Sequence, residues 1–284
     1  MSPLSGGTRR ARAPARRTAF ALLLLPALSG CVSEARERQL GAQIAANLNA
    51  RVPLVQDVPL NLYVNDLGQL IARHSERPDL QYHFYIVDTD AVNAFALPGG
   101  YIYIDRGLIQ RTRNVSELSG VLAHEIAHVA LRHGAKNLQR QMRTRSMSTV
   151  LYRTILGRDP LLDQQALQLG NELWAAGHSR ADETAADSEA VKYMIATGVD
   201  PHGMLSLFNE LMVEERQDPH GESVEWFSTH PNTARRLVAT EQTIAHLMPR
   251  PAPRLARNNA SYPLFLARMA MLPPSPPILP LQGN

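Results

Sequence analysis

The stretch that decides the fold is Gly120-Val-Leu-Ala-His-Glu-Ile-Ala-His-Val-Ala-Leu-Arg-His133. On a helix its histidines His124 and His128 lie about 40° apart around the axis and one turn apart along it. Both imidazoles can therefore reach one metal ion. Glu125 lies on the adjoining part of the same face, where it can hold a water at the metal. This is the H-E-x-x-H arrangement of a zinc peptidase.

The residues around this pattern predict a helix that carries it. No proline interrupts residues 116–133, and apolar residues recur at helical spacing. Asn114 with Glu117 three residues later predicts an N-cap with a capping box, and Gly134 is a stop signal. On one continuous helix His133 projects about 140° away from His128. We therefore expect His133 to be structural.

A second pair of side chains at helical spacing supplies the candidate third ligand. Glu183 and Asp187 follow His178-Ser-Arg and share one face of a predicted helix. We predict Glu183 as a zinc ligand and Asp187 as an acceptor for the ring N–H of a ligating histidine, which fixes its tautomer. The alternative is that both are surface acids on a polar helix.

Three protein ligands, His124, His128 and Glu183, would hold one Zn²⁺ per chain and leave one position open for water. An open position is typical of a catalytic zinc site rather than a structural one. Zinc lowers the pKa of water toward about 7 and polarises a scissile carbonyl. Glu125 is then the candidate general base, which passes the proton to the leaving amine.

Four separated segments resemble, in the same order, those of a known family. The chain is similar, from about Leu60 to Leu247, to the zinc metallopeptidases that include HtpX, the CAAX prenyl proteases, the mitochondrial Oma-type protease, BepA and LoiP. The resemblance implies an α+β, mostly helical fold of the gluzincin type, with a small β-sheet beside the H-E-x-x-H helix. One departure is His178, where members often carry Tyr. The matching segments are Asn93-Ala-Phe-Ala-Leu-Pro-Gly-Gly100 with Tyr-Ile-Tyr-Ile after it, the H-E-x-x-H run, Ser179-Arg180 with Glu183 and Asp187, and Thr229-His230-Pro231 with Arg236.

The resemblance implies that His230 and Arg236 belong to the site. It allows more than one role for each. As a catalytic residue, His230 would donate to the oxyanion in the transition state. As a fourth ligand it would displace the water and hold the enzyme inactive. It could also be a hydrogen-bonded loop histidine. Arg236 either anchors this loop to a buried acid or sits over the oxyanion, and we favour the anchor.

The resemblance also places the strand around residues 101–104 at the edge of the cleft. An extended peptide could add to that strand through main-chain hydrogen bonds, with little sequence preference. We therefore predict Asn93, Tyr101, Ile102 and Tyr103 as substrate-binding residues. Such binding suits unfolded or misassembled chains, and the family points to outer-membrane protein precursors as substrates.

Two other function classes remain open. The first is a periplasmic chaperone or assembly factor that binds barrel precursors and keeps its zinc site latched and weakly active. The second is a structural zinc lipoprotein, which would need a closed four-ligand site and no use for Glu125.

The N-terminus predicts export and lipid attachment. Residues 1–30 hold five arginines, no acids and an apolar run over residues 19–28 that is too short to span a bilayer. Leu28-Ser-Gly-Cys31 resembles a bacterial lipobox, so we predict an acylated Cys31 that anchors the chain to the membrane. Val32 is not the Asp associated with the inner membrane, which favours the periplasmic face of the outer membrane. The alternative is a plain secretory signal with an incidental cysteine.

Charge and cysteine content exclude several classes of protein. The chain has 29 basic and 26 acidic residues. Without residues 1–30 the balance is 24 basic against 26 acidic residues, so no nucleic-acid partner is implied. Cys31 is the only cysteine, which rules out an internal disulfide and thiolate zinc ligation.

The chain divides into four predicted regions. A signal peptide covers residues 1–30, and the acylated cysteine with an N-terminal helix or linker covers 31–59. The zinc metallopeptidase domain covers 60–248, including helices near 136–156 and 160–176. The tail, 249–284, contains nine prolines, which predicts an extended or disordered segment.

Overall fold

A computed structural model describes residues 33–144, 177–217, 226–231, 233–248 and 253–276. The predicted signal peptide and Cys31 lie outside these ranges, as do most of the helices predicted over 136–156 and 160–176. The elements are α1 (Glu34–Asn49), α2 (Val58–Ala72), β1 (His83–Val87), β2 (Ala94–Leu97), β3 (Tyr101–Asp105), α3 (Arg106–Arg111), α4 (Val115–Ala130), α5 (His133–Thr144), α6 (Arg180–Ala196), α7 (His202–Gln217), α8 (Trp226–Thr229), α9 (Thr233–Leu247) and α10 (Tyr262–Ala270).

The three strands form one mixed sheet in the order β1-β3-β2. β3 pairs in parallel with β1, placing Tyr101 opposite His83, and antiparallel with β2, placing Tyr103 opposite Phe95. The turn between β2 and β3 requires glycine, because Gly100 has a φ of 101° and an added Cβ would lie 2.5 Å from a backbone oxygen. The small sheet among helices confirms the predicted α+β, mostly helical architecture.

The prediction that β3 lies at the edge of the cleft is wrong. β3 is the central strand, so its main chain is paired on both sides and cannot accept a peptide. Ile102 and Tyr103 are also fully buried. The terminal strand on the side of α4 is β2, which packs against that helix.

α4 is the central helix, and all of its residues are buried. It packs against α2, α6, α7 and β2. The close approach of α7 explains Gly120, where a Cβ would lie 2.8 Å from Met204. A helix enclosed on all sides can hold polar side chains only where neighbouring groups or ions satisfy them.

The two ends of α4 differ from the predictions in detail. The Asn114 side chain caps the helix by accepting from the Glu117 N–H, as predicted. However, Glu117 accepts from the N–H of Arg113, so the reciprocal bond of the capping box is shifted by one residue. Gly134 is not the stop: α4 ends at Ala130, and Arg132 takes the left-handed conformation with a φ of 60°. Gly134 lies inside α5.

The segments on either side of the predicted domain belong to its folded structure. α1 packs its apolar face, including Ile44, on the sheet rather than forming a linker. The prediction of an extended or disordered tail is wrong for α10, whose Tyr262, Phe265 and Met269 join the main core. Pro263 does not prevent this helix, because the first turn needs no N–H from it. Among the described helices, none combines the length and apolar content needed to cross a bilayer.

Candidate metal centre

The structure brings four buried side chains from three parts of the chain to one point. His124 and His128 come from α4, Glu183 comes from the first turn of α6, and His230 directly follows α8. One nitrogen or oxygen of each lies within 4.8 Å of the corresponding atoms of the others. All four are almost completely inaccessible to solvent.

The spacing of these atoms fits a tetrahedral zinc ion. His124 Nε2 lies 3.0 Å from His128 Nε2 and 3.2 Å from His230 Nδ1. Glu183 oxygens lie 3.5 Å and 3.4 Å from the two α4 nitrogens and 3.1 Å from His230 Nδ1. Zinc bonds of 2.0–2.1 Å place tetrahedral ligand atoms about 3.3 Å apart. The donor set therefore matches zinc in chemistry and in spacing.

One side of the centre is fixed by a carboxylate and a guanidinium. His124 Nδ1 lies 3.0 Å from Asp187 Oδ1. Arg236 donates to both oxygens of Asp187, each at 2.7 Å, and its Nη1 lies 2.6 Å from Glu183. Burial raises the pKa of Asp187, but the hydrogen bonds from Arg236 and His124 outweigh it and the pKa falls below its usual value.

Arg236 also ties down the segment that carries His230. Its Nη1 donates to the main-chain oxygen of His230 at 3.2 Å, and the whole side chain is buried. The guanidinium is thus held by two carboxylates from α6 and one backbone carbonyl. This geometry matches the anchoring role predicted for Arg236, rather than a guanidinium facing the cleft.

Glu125 is a buried carboxylate that makes no hydrogen bond within the described part of the chain. His230 Nε2 lies 3.5 Å from its Oε1. Burial raises the pKa of Glu125. Because an unsatisfied buried carboxylate is costly, this one implies a water or substrate group beside it.

His133 lies at the centre, although the sequence prediction directed it away. Its Nδ1 is 2.9 Å from His128 Nδ1, and its Nε2 is 3.5 Å from Asp182. The angular prediction assumed a continuous helix, whereas α4 ends at Ala130 and Arg132 takes the left-handed conformation. Burial lowers the pKa of His133 to about 4. No spacing rule in the sequence would have shown this contact.

Two aromatic neighbours were also missed. His178 packs its ring 3.8 Å from that of His128. Trp226 stacks on His230 at 4.2 Å, and its main-chain oxygen accepts from the His230 N–H. The spacing of four residues between Trp226 and His230 is the sequence signal that could have indicated their contact.

A small cleft lies beside the centre. None of the four predicted substrate-binding residues lines it. Asn93 is buried and accepts from the N–H of Ala94 at 2.9 Å, while Tyr101 stacks on His83 within the sheet. The residues that line the cleft are Phe95, Ala96, Leu97, Pro98, Gly134, Asn137, Gly177, His178, Thr229 and His230.

Comparisons with known proteins agree with this geometry. The family model described as peptidase family M48 matches residues 60–244. The β-barrel assembly-enhancing protease of Escherichia coli (strain K12) is 27% identical over 224 residues, covering 77% of this chain and 46% of that protein. The Yersinia pestis protein of the same name is 30% identical over 225 residues, covering 76% and 45%.

A mitochondrial relative matches over a shorter stretch. The metalloendopeptidase OMA1 of Schizosaccharomyces pombe is 29% identical over 184 residues, covering 65% of this chain and 53% of that protein. The chain spans about half the length of the curated relatives it matches.

Proposed function

Because the chain belongs to peptidase family M48, we propose that it is a zinc-dependent metalloendopeptidase that cleaves unfolded or misassembled envelope proteins. The observation that carries this proposal is the buried set His124, His128, Glu183 and His230 at tetrahedral spacing. Beside it lies the carboxylate of Glu125, which makes no hydrogen bond to any described residue. The resemblance drawn from the sequence is confirmed at the level of the family.

Different side chains bind the metal, orient its ligands and transfer the proton. When bound, zinc supplies a Lewis acid that polarises the scissile carbonyl and acidifies water. His124, His128 and Glu183 would hold it, and Asp187 and Arg236 fix the orientation of His124 and Glu183. Glu125 takes the proton from the attacking water and delivers it to the leaving amine. Its raised pKa and buried position suit a group that accepts and then returns a proton.

His230 acts as a latch in this arrangement. Its Nδ1 lies 3.2 Å from His124 Nε2 and 3.1 Å from Glu183, where a fourth ligand would lie. A water and the His230 ring compete for that position, so activity requires His230 to move away. The anchor through Arg236 and the stack on Trp226 hold the latched position.

Substrate binds along β2 rather than β3. β2 is the terminal strand of the sheet, and residues 95–98 line the cleft beside His230. A peptide laid along this strand passes the metal centre in an extended conformation. Main-chain pairing of this kind selects for unfolded segments rather than for a sequence.

The proposed location is the periplasmic face of the outer membrane, with the chain tethered through lipid on Cys31. The lipobox-like Leu28-Ser-Gly-Cys31 supports the tether. The name of the Escherichia coli relative refers to β-barrel assembly, which supports precursors of outer-membrane proteins as substrates.

The first test measures zinc content and casein cleavage for the purified full-length protein beside Glu125→Gln. We expect one zinc per chain in both proteins and cleavage in the wild type alone, because Glu125 is not a ligand. Equal cleavage by the two proteins would remove Glu125 as the base. Absence of zinc from both would overturn the site.

The second test replaces the latch. His230→Ala should raise basal cleavage of casein while zinc content stays near one per chain. Loss of activity in this variant would instead assign His230 to oxyanion stabilisation. Zinc in every variant without cleavage in any of them would favour the periplasmic chaperone, in which the same cleft binds precursors without cutting.

A further inference from the structure

The two ligating histidines of α4 are supported in different ways. His124 contacts a carboxylate directly, with 3.0 Å between its Nδ1 and Asp187. His128 contacts no carboxylate through its Nδ1, which instead lies 2.9 Å from Nδ1 of His133. A histidine that binds metal through Nε2 keeps its proton on Nδ1 and normally donates it to an acceptor that fixes the ring.

His133 connects this position to the second ligand-bearing helix. Its far nitrogen, Nε2, lies 3.5 Å from Oδ1 of Asp182, the residue before Glu183 on α6. The other oxygen of Asp182, Oδ2, lies 2.6 Å from the Ser179 hydroxyl, within the capping box of α6. His133 therefore contacts the ring of His128 on one side and, on the other, the start of α6, the helix that carries Glu183.

We propose that His133 is a positioning residue for the metal ligand His128. Its Nδ1 accepts the Nδ1–H of His128, and its Nε2–H faces Asp182, which holds the His133 ring in place. This inference rests on the proposed function, since it requires that His128 holds zinc through Nε2. His133 is not a member of the set His124, His128, Glu183 and His230. Its contribution is the orientation and tautomer of the His128 ring.

The backbone of the α4–α5 connection supports the proposal. Arg132 has a φ of 60°, a left-handed conformation that non-glycine residues rarely adopt. This break between the helices precedes His133, whose ring lies against that of His128. The Arg132 guanidinium is held at 2.7 Å by Glu37 from α1. Contacts from outside the site thus stabilise a strained turn whose effect is to place His133.

The test measures zinc affinity of the full-length protein by competition with a chromophoric chelator. His133→Phe keeps a buried ring but removes the acceptor, so we expect affinity to fall about 10- to 100-fold. His133→Asn keeps an acceptor oxygen near the Nδ1 position and should recover most of that loss. The exposed His74→Phe is the matched control and should leave affinity unchanged.

A spectroscopic readout separates orientation from general stability. In Co²⁺-loaded protein, the visible absorption of His133→Phe should shift from that of the wild type, while His133→Asn stays near it. Equal affinity in the Phe and Asn variants, whether like the wild type or equally weakened, would overturn the proposal. Melting of the metal-free proteins reports on folding independently of the site.

If His133→Phe does not fold, a second pair of variants tests whether His133 positions His128. Asp182→Asn weakens the support of His133 and the cap of α6, whereas Ser179→Ala weakens the cap alone. We expect weaker zinc binding in Asp182→Asn than in Ser179→Ala. Equal binding would contradict the proposal that Asp182 and His133 together position His128. A wild type that holds no zinc would overturn the proposed function as well, so the two failures are distinguishable.

Discussion

The metal centre between α4 and α6 and the flanking helices α1 and α10 are held together by different physics. The centre is a buried polar network in which Arg236, Asp187 and Glu183 balance one another's charge. The flanks are held mainly by apolar contacts, in which Tyr262 and Phe265 of α10 and Ile44 of α1 pack onto the core or the sheet, and α1 adds one buried ion-pair group, Glu37. A polar centre is sensitive to the loss of any single partner, whereas an apolar flank loses stability in proportion to the contacts removed.

The largest expected effect comes from breaking the centre. Glu183→Gln removes a ligand and leaves Arg236 with one charged partner fewer in a buried site. We expect zinc content and casein cleavage to fall to background. The chelator EDTA should lower the melting temperature of the wild type and leave that of the variant unchanged, because only the wild type has zinc to lose. Retention of zinc would show that Glu183 is not a ligand.

The next largest effect comes from the C-terminal flank. Tyr262 is fully buried, and its hydroxyl bonds to Thr112 beside α3. Tyr262→Ala should lower the free energy of unfolding by about 4 kcal/mol, measured by chemical denaturation, because it leaves a cavity and removes the hydrogen bond to Thr112. Leu264→Ala on the same helix is the control: Leu264 is 72% exposed, so the change should be within about 0.5 kcal/mol. Similar losses for both would mean that α10 does not pack as described.

The N-terminal flank should show a smaller effect. Glu37 on α1 is buried and pairs with Arg77 at 3.0 Å and Arg132 at 2.7 Å. Glu37→Gln should lower the free energy of unfolding by about 2 kcal/mol, less than for a fully buried pair because Arg132 is partly exposed. Glu34→Gln, one turn earlier, breaks only a surface pair with Arg38 and should cost less than about 0.5 kcal/mol. Equal effects would place Glu37 at the surface.

The centre was predictable because its signals are local. Four-residue spacing on one helix indicated His124 with His128, and on another Glu183 with Asp187; the helices place each pair on one face. The resemblance to a family added His230 and Arg236. Local spacing failed beyond the end of the helix, as at His133, which follows the left-handed conformation of Arg132 and does not continue the geometry of α4.

The rest depended on contacts between distant segments. Strand order cannot be deduced from alternation of residues. The placement of β3 at the edge of the cleft depends on the resemblance alone, and β3 lies between β1 and β2. The prolines of the tail led to the prediction of an extended segment instead of α10. The apolar residues of α10 pack against the main core, a contact that the local sequence does not show. Whether a segment is buried depends on the surface against which it packs. A local sequence pattern does not contain that surface.

The most direct test of the account is the anomalous scattering of zinc in crystals of the full-length protein. The account predicts one peak per chain within bonding distance of His124, His128 and Glu183, with His230 as the fourth ligand. No peak at these residues, or a peak held instead by His128, His133 and His178, would contradict it.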